Sequence, residues 1–276
     1  MTASMDVAKQ NLRQRGVELH IVGRGQELSI LPENLSVRGS SKVSGLPQKS
    51  DTDGSRAQSG IYSACGEESL LATASDAGKN STDLCMREFA IALMNYGFDD
   101  EIRRLIESQY HSSVAAGHWN GTRAAASPED YWAELSMWYF DIRASFAAQG
   151  RSAESAANAI RAEDPSGFAL VDLLYTQKKR PVAIEAIRAR AVSKLALSSV
   201  SKRPAELQLV NNSGKNIRFF WIDTEGELRP IGELGPYNRT IEKTFFQHVW
   251  MIEDQRGVEI QRFVIEDYVS EVIAAY

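Results

Sequence analysis

The hydrophobic positions of this chain follow two different periods, and the change falls near residue 204. Before it, apolar residues recur every three or four positions, which is the spacing of amphipathic helices. After it they alternate, as in half-buried strands separated by polar turns such as NNSGKN and DTEGE. The pattern predicts an α+β protein with a mainly helical domain over residues 1–180, a helical linker over 181–204 and a small all-β sandwich over 205–276.

The first part contains one predicted strand within residues 16–30, followed by helices, with a further helix predicted in the linker. The predicted helices lie at 81–96, 99–116, 128–149 and 181–198. Between the strand and the first of these helices, residues 35–60 are rich in Ser, Gly, Lys and Asp and have no hydrophobic period. This composition predicts a disordered surface loop.

Composition and charge exclude several classes of protein. The net charge is −5 and no long run of Lys and Arg occurs, so nucleic acid is not an expected partner. No apolar stretch approaches the ~18–20 residues that cross a bilayer, so no membrane association is expected. Residues 1–16 lack the apolar segment of a secretion signal. The cytoplasm is therefore the default expectation, with secretion left open.

Cysteine usage adds one further question about the compartment. Cys65 and Cys85 are compatible with two thiols, one disulfide or a redox pair. Because no export signal is visible, the sequence favours two thiols.

Several segments of the helical part resemble the lethal-factor-like branch of zinc metallopeptidases, in the same order and over about residues 10–176. They are GVELHIVGRGQELSILPEN, SACGEESLL, LCMREFAIALMNYG, GHWNGTRAAASPEDYWAELSMWYFD and DPSGFALVDLLY. In such peptidases a helical HExxH motif places two histidines on one helix face to bind zinc, and its glutamate acts as general base. The resemblance places LCMREFAIALMNYG at the position of this motif.

The zinc ligands implied by that resemblance are missing here. Arg87 and Ile91 stand at the two histidine positions, whereas the general-base position is still a glutamate, Glu88. A guanidinium and an isoleucine side chain have no lone pair to offer a metal. The third-ligand position falls at Asp130, before Glu134, and the expected oxyanion-stabilising tyrosine is replaced by Arg123. We therefore expect no metal, no other cofactor and no catalysis at this vestigial site.

The former zinc pocket would retain three carboxylates, those of Glu88, Asp130 and Glu134. Burying them without a counter-charge is costly, so Arg87 is a candidate to replace the positive charge of the metal by bidentate pairing. The alternative is that Arg87 lies on a solvated helix face, where arginine is usually found.

The segment at residues 205–254 resembles the β domain of the von Hippel-Lindau tumour suppressor family. The resemblance rests on Asn211-Asn212-Ser213, Trp221 with Asp223, Leu234 with Pro236, and His248 with Trp250. In that family a tryptophan, a histidine, a serine hydroxyl and a tyrosine hydroxyl hold a hydroxyproline in an extended peptide. The implied peptide-binding residues are, in the same order, Trp250, His248, Thr244 and Ile231.

Isoleucine at 231 cannot donate the hydrogen bond of the tyrosine, which weakens the case for hydroxyproline as the ligand. For Trp221 a place in the sandwich core is the favoured alternative, and for His248 and Trp250 core and binding roles are equally weighted.

Three functions remain open at this point. The first is a non-enzymatic protein that binds a peptide or protein, with proline as a candidate ligand residue, and joins an inactive peptidase-like scaffold to a peptide-binding sandwich. The second is a divergent metallopeptidase that uses Glu88, Asp130 and Glu134 in a non-standard metal site. The third is a structural fusion without a ligand. Zinc content separates the first two, because a catalytic zinc needs three protein ligands.

Overall fold

The computed structural model describes residues 5–31, 56–71, 83–140, 142, 156–184 and 188–275. The described residues form two compact units. The first, which we call the helical unit, holds the residues up to Leu28 and those from 56 to Ile184; the second, the sandwich unit, is built mainly from residues 188–275. Helices dominate the first unit and strands the second, which confirms the α+β class.

The helical unit contains a small sheet and a set of helices. Its described helices are α1 Asp6–Gln14, α2 Glu67–Leu71, α3 Leu84–Ala92, α4 Asp100–Ala115, α5 Pro128–Tyr139, α6 Ala156–Glu163 and α7 Pro165–Tyr175. Helix α3 continues into a π-helical turn at Leu93–Gly97, and a 3-10 turn at Arg123–Ala125 precedes α5. The predicted helix at 128–149 is present as far as Tyr139, and most of its remaining residues lie outside the described ranges.

Side-chain caps fix where the main helices begin. Asp83 accepts a hydrogen bond from the backbone of Met86 at the start of α3, and Asp99 caps α4 in the same way. Ser127 caps α5 and Asp164 caps α7, each followed by proline at the first helical position. These residues satisfy backbone N–H groups that a helix leaves without partners at its N-terminus.

The sheet of the helical unit contains β1 Glu18–Val22, β2 Ala57–Gln58 and β3 Tyr62–Gly66, in the order β1-β3-β2. Strand β3 is parallel to β1 and antiparallel to β2. The expectation of a disordered loop over 35–60 is therefore wrong at its C-terminal end, because pairing with β3 orders residues 57 and 58. The rest of that segment, up to residue 55, lies outside the described residues.

Cys65 on β3 and Cys85 on α3 form a disulfide, so the expectation of two thiols is wrong. Strand β3 and α3 pack against each other, which places the two Cα atoms 5.1 Å apart. A separation of 20 residues gave no sign of this proximity in the sequence.

Removal of the disulfide should lower the free energy of unfolding by about 2–3 kcal/mol, since a cross-link between residues this far apart restricts the unfolded chain. The measurement is chemical unfolding of the Cys65→Ala/Cys85→Ala variant beside the oxidised and the reduced wild type. Reduction should reproduce the effect of the double substitution. Equal stability of the oxidised and reduced forms would contradict the prediction.

The sandwich unit consists of two sheets. The five-stranded sheet has the order β4-β10-β9-β6-β7 and the three-stranded sheet the order β11-β5-β8. The strands are β4 Arg190–Ala191, β5 Pro204–Asn211, β6 Ile217–Ile222, β7 Leu228–Leu234, β8 Arg239–Phe245, β9 Val249–Asp254, β10 Glu259–Val264 and β11 Val269–Ala274. Alternate residues of both sheets form one core, which includes Leu207, Leu209, Ile217, Phe219, Trp221, Trp250, Phe263 and Val272.

The helix expected at 181–198, and with it the helical linker, is wrong: none of the described residues of this segment is helical, residues 181–184 belong to the helical unit, and residues 188–198 belong to the sandwich. Ala189 donates its backbone N–H to the carbonyl of Glu271, and Val192 donates to the carbonyl of Arg262, each at 3.0 Å. Val192 and Ala196 also cover a second apolar cluster of the unit. Helical periodicity in this alanine-rich segment is thus outweighed by pairing and packing with distant strands.

Candidate functional site

Arg87 lies at the centre of a buried charge cluster between α3 and α5. Its two terminal nitrogens donate to different carboxylates, Nη1 to Oε1 of Glu88 and Nη2 to Oδ1 of Asp130. Only 6% of Arg87 and 2% of Glu88 are exposed, so the alternative of a solvated helix face is wrong. The expected bidentate pairing takes the form of a bridge between two carboxylates.

Polar neighbours complete the cluster around the two carboxylates. Asp130 also accepts hydrogen bonds from Nε of Arg123 at 3.0 Å and from the hydroxyl of Ser127 at 2.9 Å. Glu88 accepts a hydrogen bond from the hydroxyl of Ser59, which follows β2. The arrangement gives each carboxylate both a cationic and a hydroxyl donor.

The pKa values of the cluster follow from these contacts. Burial by itself would raise the pKa of Asp130, but the hydrogen bonds and charges of Arg87, together with Ser127 and Arg123, lower it below its usual range. Burial would likewise lower the pKa of Arg87, yet the charges and hydrogen bonds of Glu88 and Asp130 raise it. These contacts favour the ionised forms of Arg87 and Asp130.

The other residues predicted for this site lie on the same elements. Ile91 is 4% exposed on α3, four positions after Arg87, and Glu134 is 1% exposed on α5, four positions after Asp130. Within the described ranges, no group of three or more His, Cys, Asp or Glu side chains could hold a metal ion. Ion pairs join Arg87 to Glu88 and to Asp130 at this position.

A second buried polar network lies in the helical unit and was not predicted. Oδ2 of Asp164 accepts hydrogen bonds from Ser113 at 2.6 Å, Tyr131 at 2.7 Å and Nε1 of Trp119 at 3.0 Å. Oδ1 accepts the backbone N–H of Gly167 at 2.8 Å. Burial would raise the pKa of Asp164, but these four donors lower it. In the sequence, Asp164-Pro165 signalled only a helix start.

The residues predicted to bind peptide come together in the sandwich unit. Nε1 of Trp250 donates to Oγ1 of Thr244 at 3.0 Å, and Oγ1 lies 3.2 Å from Nδ1 of His248. Oγ1 of Thr244 donates to Nδ1 or accepts from it according to which ring nitrogen of His248 carries the proton. The ring of His248 stacks on Trp221, with centroids 5.1 Å apart.

These side chains are closed off from solvent. Trp250 and Thr244 are fully buried, His248 is 4% exposed and Ile231, on β7, is 8% exposed. Trp221 faces Trp250 on the neighbouring strand and belongs to the core, as favoured from the sequence. The same core contains Ile231 and Trp250, so these two of the four predicted binding residues are part of the sandwich core.

Ser198 connects the extended segment before β5 to this aromatic group and was missed from the sequence. Its hydroxyl accepts hydrogen bonds from Nε1 of Trp221 at 3.0 Å and from the backbone N–H of Val249 at 2.8 Å, and donates to the carbonyl of Ile222. The role of Ser198 was missed because the helix expected at 181–198 would have placed this residue outside the sandwich.

His248 should make the sandwich less stable in mild acid. Burial lowers the pKa of His248 from 6.5 to about 4, so the unfolded chain binds this proton first as the pH falls. Stability contributed by the neutral ring is complete above about pH 6.5 and is lost as the pH falls towards 4. We expect a loss of about 2 kcal/mol between pH 7 and pH 5.

The measurement is urea unfolding at several pH values for the wild type and His248→Asn, which retains a donor and an acceptor at this position but does not titrate. The variant should be less stable at pH 7 and lack most of the pH dependence above pH 5. An equal dependence in both proteins would show that another group is responsible.

Three comparisons with known proteins bear on these sites. A family model described as the VHL beta domain matches residues 196–261, within the sandwich unit. A comparison with the curated proteins finds no match. Among solved structures, the Pro-Pro endopeptidase PPEP-2 from Paenibacillus alvei is similar over 63% of this chain and 85% of that chain, at 14% identity and a TM-score of 0.37. A likeness this low carries no argument about the helical unit.

None of the helices in the described parts of the chain is long and apolar enough to cross a bilayer.

Proposed function

We propose that this chain is a non-enzymatic protein that binds an extended peptide or a protein segment through its sandwich unit. The match of residues 196–261 to the VHL beta domain carries the proposal. In this proposal the helical unit is an inactive peptidase-like scaffold. The pairing of Glu88 and Asp130 with Arg87 supports inactivity, because it occupies two of the three carboxylates that a divergent metal site would use.

The edge of the three-stranded sheet supports an extended ligand. Strand β8 lies at that edge and has one neighbour among the described strands, β5. An edge strand can hydrogen-bond an added peptide through its main chain. Strand β8 also carries Thr244 near its C-terminal end, and the chain then turns to His248. Strand β7, at the edge of the other sheet, is a poorer template because Pro230 lacks an N–H group.

The chemistry around β8 favours proline as a ligand residue and gives no preference for hydroxyproline. Trp221, His248 and Trp250 form an aromatic group beside Thr244, and aromatic surfaces suit the rigid apolar ring of proline. Ile231 supplies no hydroxyl to a hydroxyproline. Because His248 and Trp250 are buried, a ligand would reach them only with movement of neighbouring side chains such as Phe245, whose ring lies 5.3 Å from that of His248.

The test is a screen of extended peptides, followed by affinity measurements on the best binders. Each binder is made with proline and with hydroxyproline, and we expect affinities within about threefold of each other, since Ile231 has no hydroxyl to pair with that of hydroxyproline. His248→Asn and Trp250→Phe should weaken binding by about tenfold or more while the sandwich stays folded. Ligand binding by Trp250→Phe equal to wild type would contradict the proposed surface.

Val272→Ala is the matched control. Val272 is a buried core residue on β11, at the opposite edge of the three-stranded sheet from β8. Its truncation should lower stability and leave affinity unchanged. A loss of affinity as large as that of the His248 variant would mean that binding follows stability, as in a structural fusion.

We also propose that the protein works in an oxidising compartment. The disulfide between Cys65 and Cys85 supports this location, since cytosolic thiols are usually kept reduced. Alkylation of free thiols in freshly lysed cells tests this location. Two modified cysteines per chain would contradict it and indicate a reducing compartment.

A further inference from the structure

Strand β1 of the helical unit is an exposed edge. In the order β1-β3-β2, its only described neighbour is β3. Two apolar side chains on one face of β1 are accessible, with Leu19 39% and Ile21 55% exposed. Edge strands of native proteins are commonly protected by charged side chains, proline or a bulge; β1 has one charged residue, Glu18 at its start, and no lysine, proline or bulge within Glu18–Val22.

The pairing of β1 with β3 determines which main-chain groups face outward. Glu18 donates its N–H to the carbonyl of Ile61 at 2.9 Å, and the two strands are parallel. In a parallel ladder the N–H and C=O of one residue point to the same side, and successive residues alternate. Glu18, His20 and Val22 therefore face β3, while both groups of Leu19 and Ile21 face away from the sheet.

These four outward groups specify one antiparallel register with a second copy of β1. Leu19 opposite Ile21 of the other copy makes a hydrogen-bonded pair, and Ile21 opposite Leu19 repeats it through a twofold axis at His20. All four donors and acceptors of each strand are then used. Shifted registers fail, because the N–H of Val17 is bound to Leu12 and that of Gly23 to the side chain of Gln26.

We propose that the chain forms a twofold-symmetric homodimer in which two β1 strands pair and join the small sheets of two helical units. The self-complementary register argues for a second copy over an unrelated peptide. It also packs the exposed side chains of Leu19 and Ile21 against Ile21 and Leu19 of the other copy, on the same face of the extended sheet. The contact is short, so the dimer is a weak one.

The test uses charge exchange at the two facing positions in the full chain. Leu19→Lys/Ile21→Lys places like charges directly opposite each other, and so does Leu19→Glu/Ile21→Glu. Each variant should weaken self-association at least about tenfold in sedimentation equilibrium. Because lysine then faces glutamate, an equimolar mixture of the two variants should recover a dimer.

Leu195→Lys/Val200→Lys is the control, since both residues are 88% exposed apolar side chains in the sandwich unit. It should associate as the wild type does. The proposal is overturned by a wild type that stays monomeric up to roughly 200 µM, a concentration at which even a weak dimer is populated. Unchanged association of the Lys variant, no recovery in the mixture, or loss of the dimer in the control overturns it as well. Circular dichroism confirms that each variant is folded.

Discussion

Arg87→Ala should lower the free energy of unfolding of the helical unit by about 3–5 kcal/mol, the usual cost of removing one partner from a buried ion pair. The substitution leaves the carboxylate of Glu88, which is 2% exposed, without the guanidinium that neutralises it. Asp130 keeps Arg123 and Ser127 as donors, so Glu88 carries most of the penalty. Chemical unfolding followed by circular dichroism measures the change.

Two further variants show whether the stability lost in Arg87→Ala comes from charge or from packing. Arg123→Ala removes a second arginine from Asp130, but its side chain is 47% exposed, so the expected loss is below about 1 kcal/mol. Arg87→Met/Glu88→Gln removes both charges of the buried pair and keeps much of the volume, so it should recover most of the stability lost in Arg87→Ala. An Arg87→Ala protein within about 1 kcal/mol of wild type would contradict the role of the ion pairs.

The pH dependence of Arg87→Ala follows from the same electrostatics. Arg87 is among the groups that lower the pKa of Asp130, so the stability that this carboxylate contributes is present above its ordinary pKa of 3.8 and is lost as the pH falls. The difference in the free energy of unfolding between wild type and variant should therefore narrow below about pH 4, as Asp130 takes up a proton.

Local signals in the sequence predicted much of the fold. Ser127-Pro128 gave the start of α5, and the alternation of apolar residues after residue 204 gave the strands of the sandwich. The charge cluster was also expected, because the sequence resemblance placed Arg87 among carboxylates that need a counter-charge when buried. In each case the residues that determine the feature lie a few positions apart or in a motif of fixed spacing.

The features that escaped prediction depend on contacts between distant residues. The segment before β5 has a helical period, but its backbone pairs with strands about 70–80 residues later, such as Ala189 with Glu271. Cys65 and Cys85 could be paired only once the packing of β3 against α3 was known. Ser198 reaches Trp221 and Val249 through that same unpredicted path. Hydrophobic periodicity contains no information on such pairings.

The Asp164 network is the largest of these omissions, and its removal gives the second large effect. Asp164→Asn should cost about 3–4 kcal/mol, because a carboxamide cannot accept hydrogen bonds at both of its terminal atoms. If the amide oxygen replaces Oδ2, the NH₂ group meets the N–H of Gly167; in the other orientation it meets the donors of Ser113, Trp119 and Tyr131. Either orientation buries opposed donors, since Asp164 is 1% exposed.

Asp172→Asn provides the comparison, because Asp172 lies on α7, the helix that Asp164 caps. Asp172 accepts hydrogen bonds from Tyr139 and Lys178, but its side chain is 29% exposed, so water can replace a lost partner and the expected cost is below about 1 kcal/mol. Urea unfolding of both variants, followed by tryptophan fluorescence because Trp119 is a member of the network, measures the difference. Equal losses of unfolding free energy in Asp164→Asn and Asp172→Asn would contradict this prediction. The hydrogen bonds of the four donors around Asp164 would then follow from the fold of the helical unit without stabilising it.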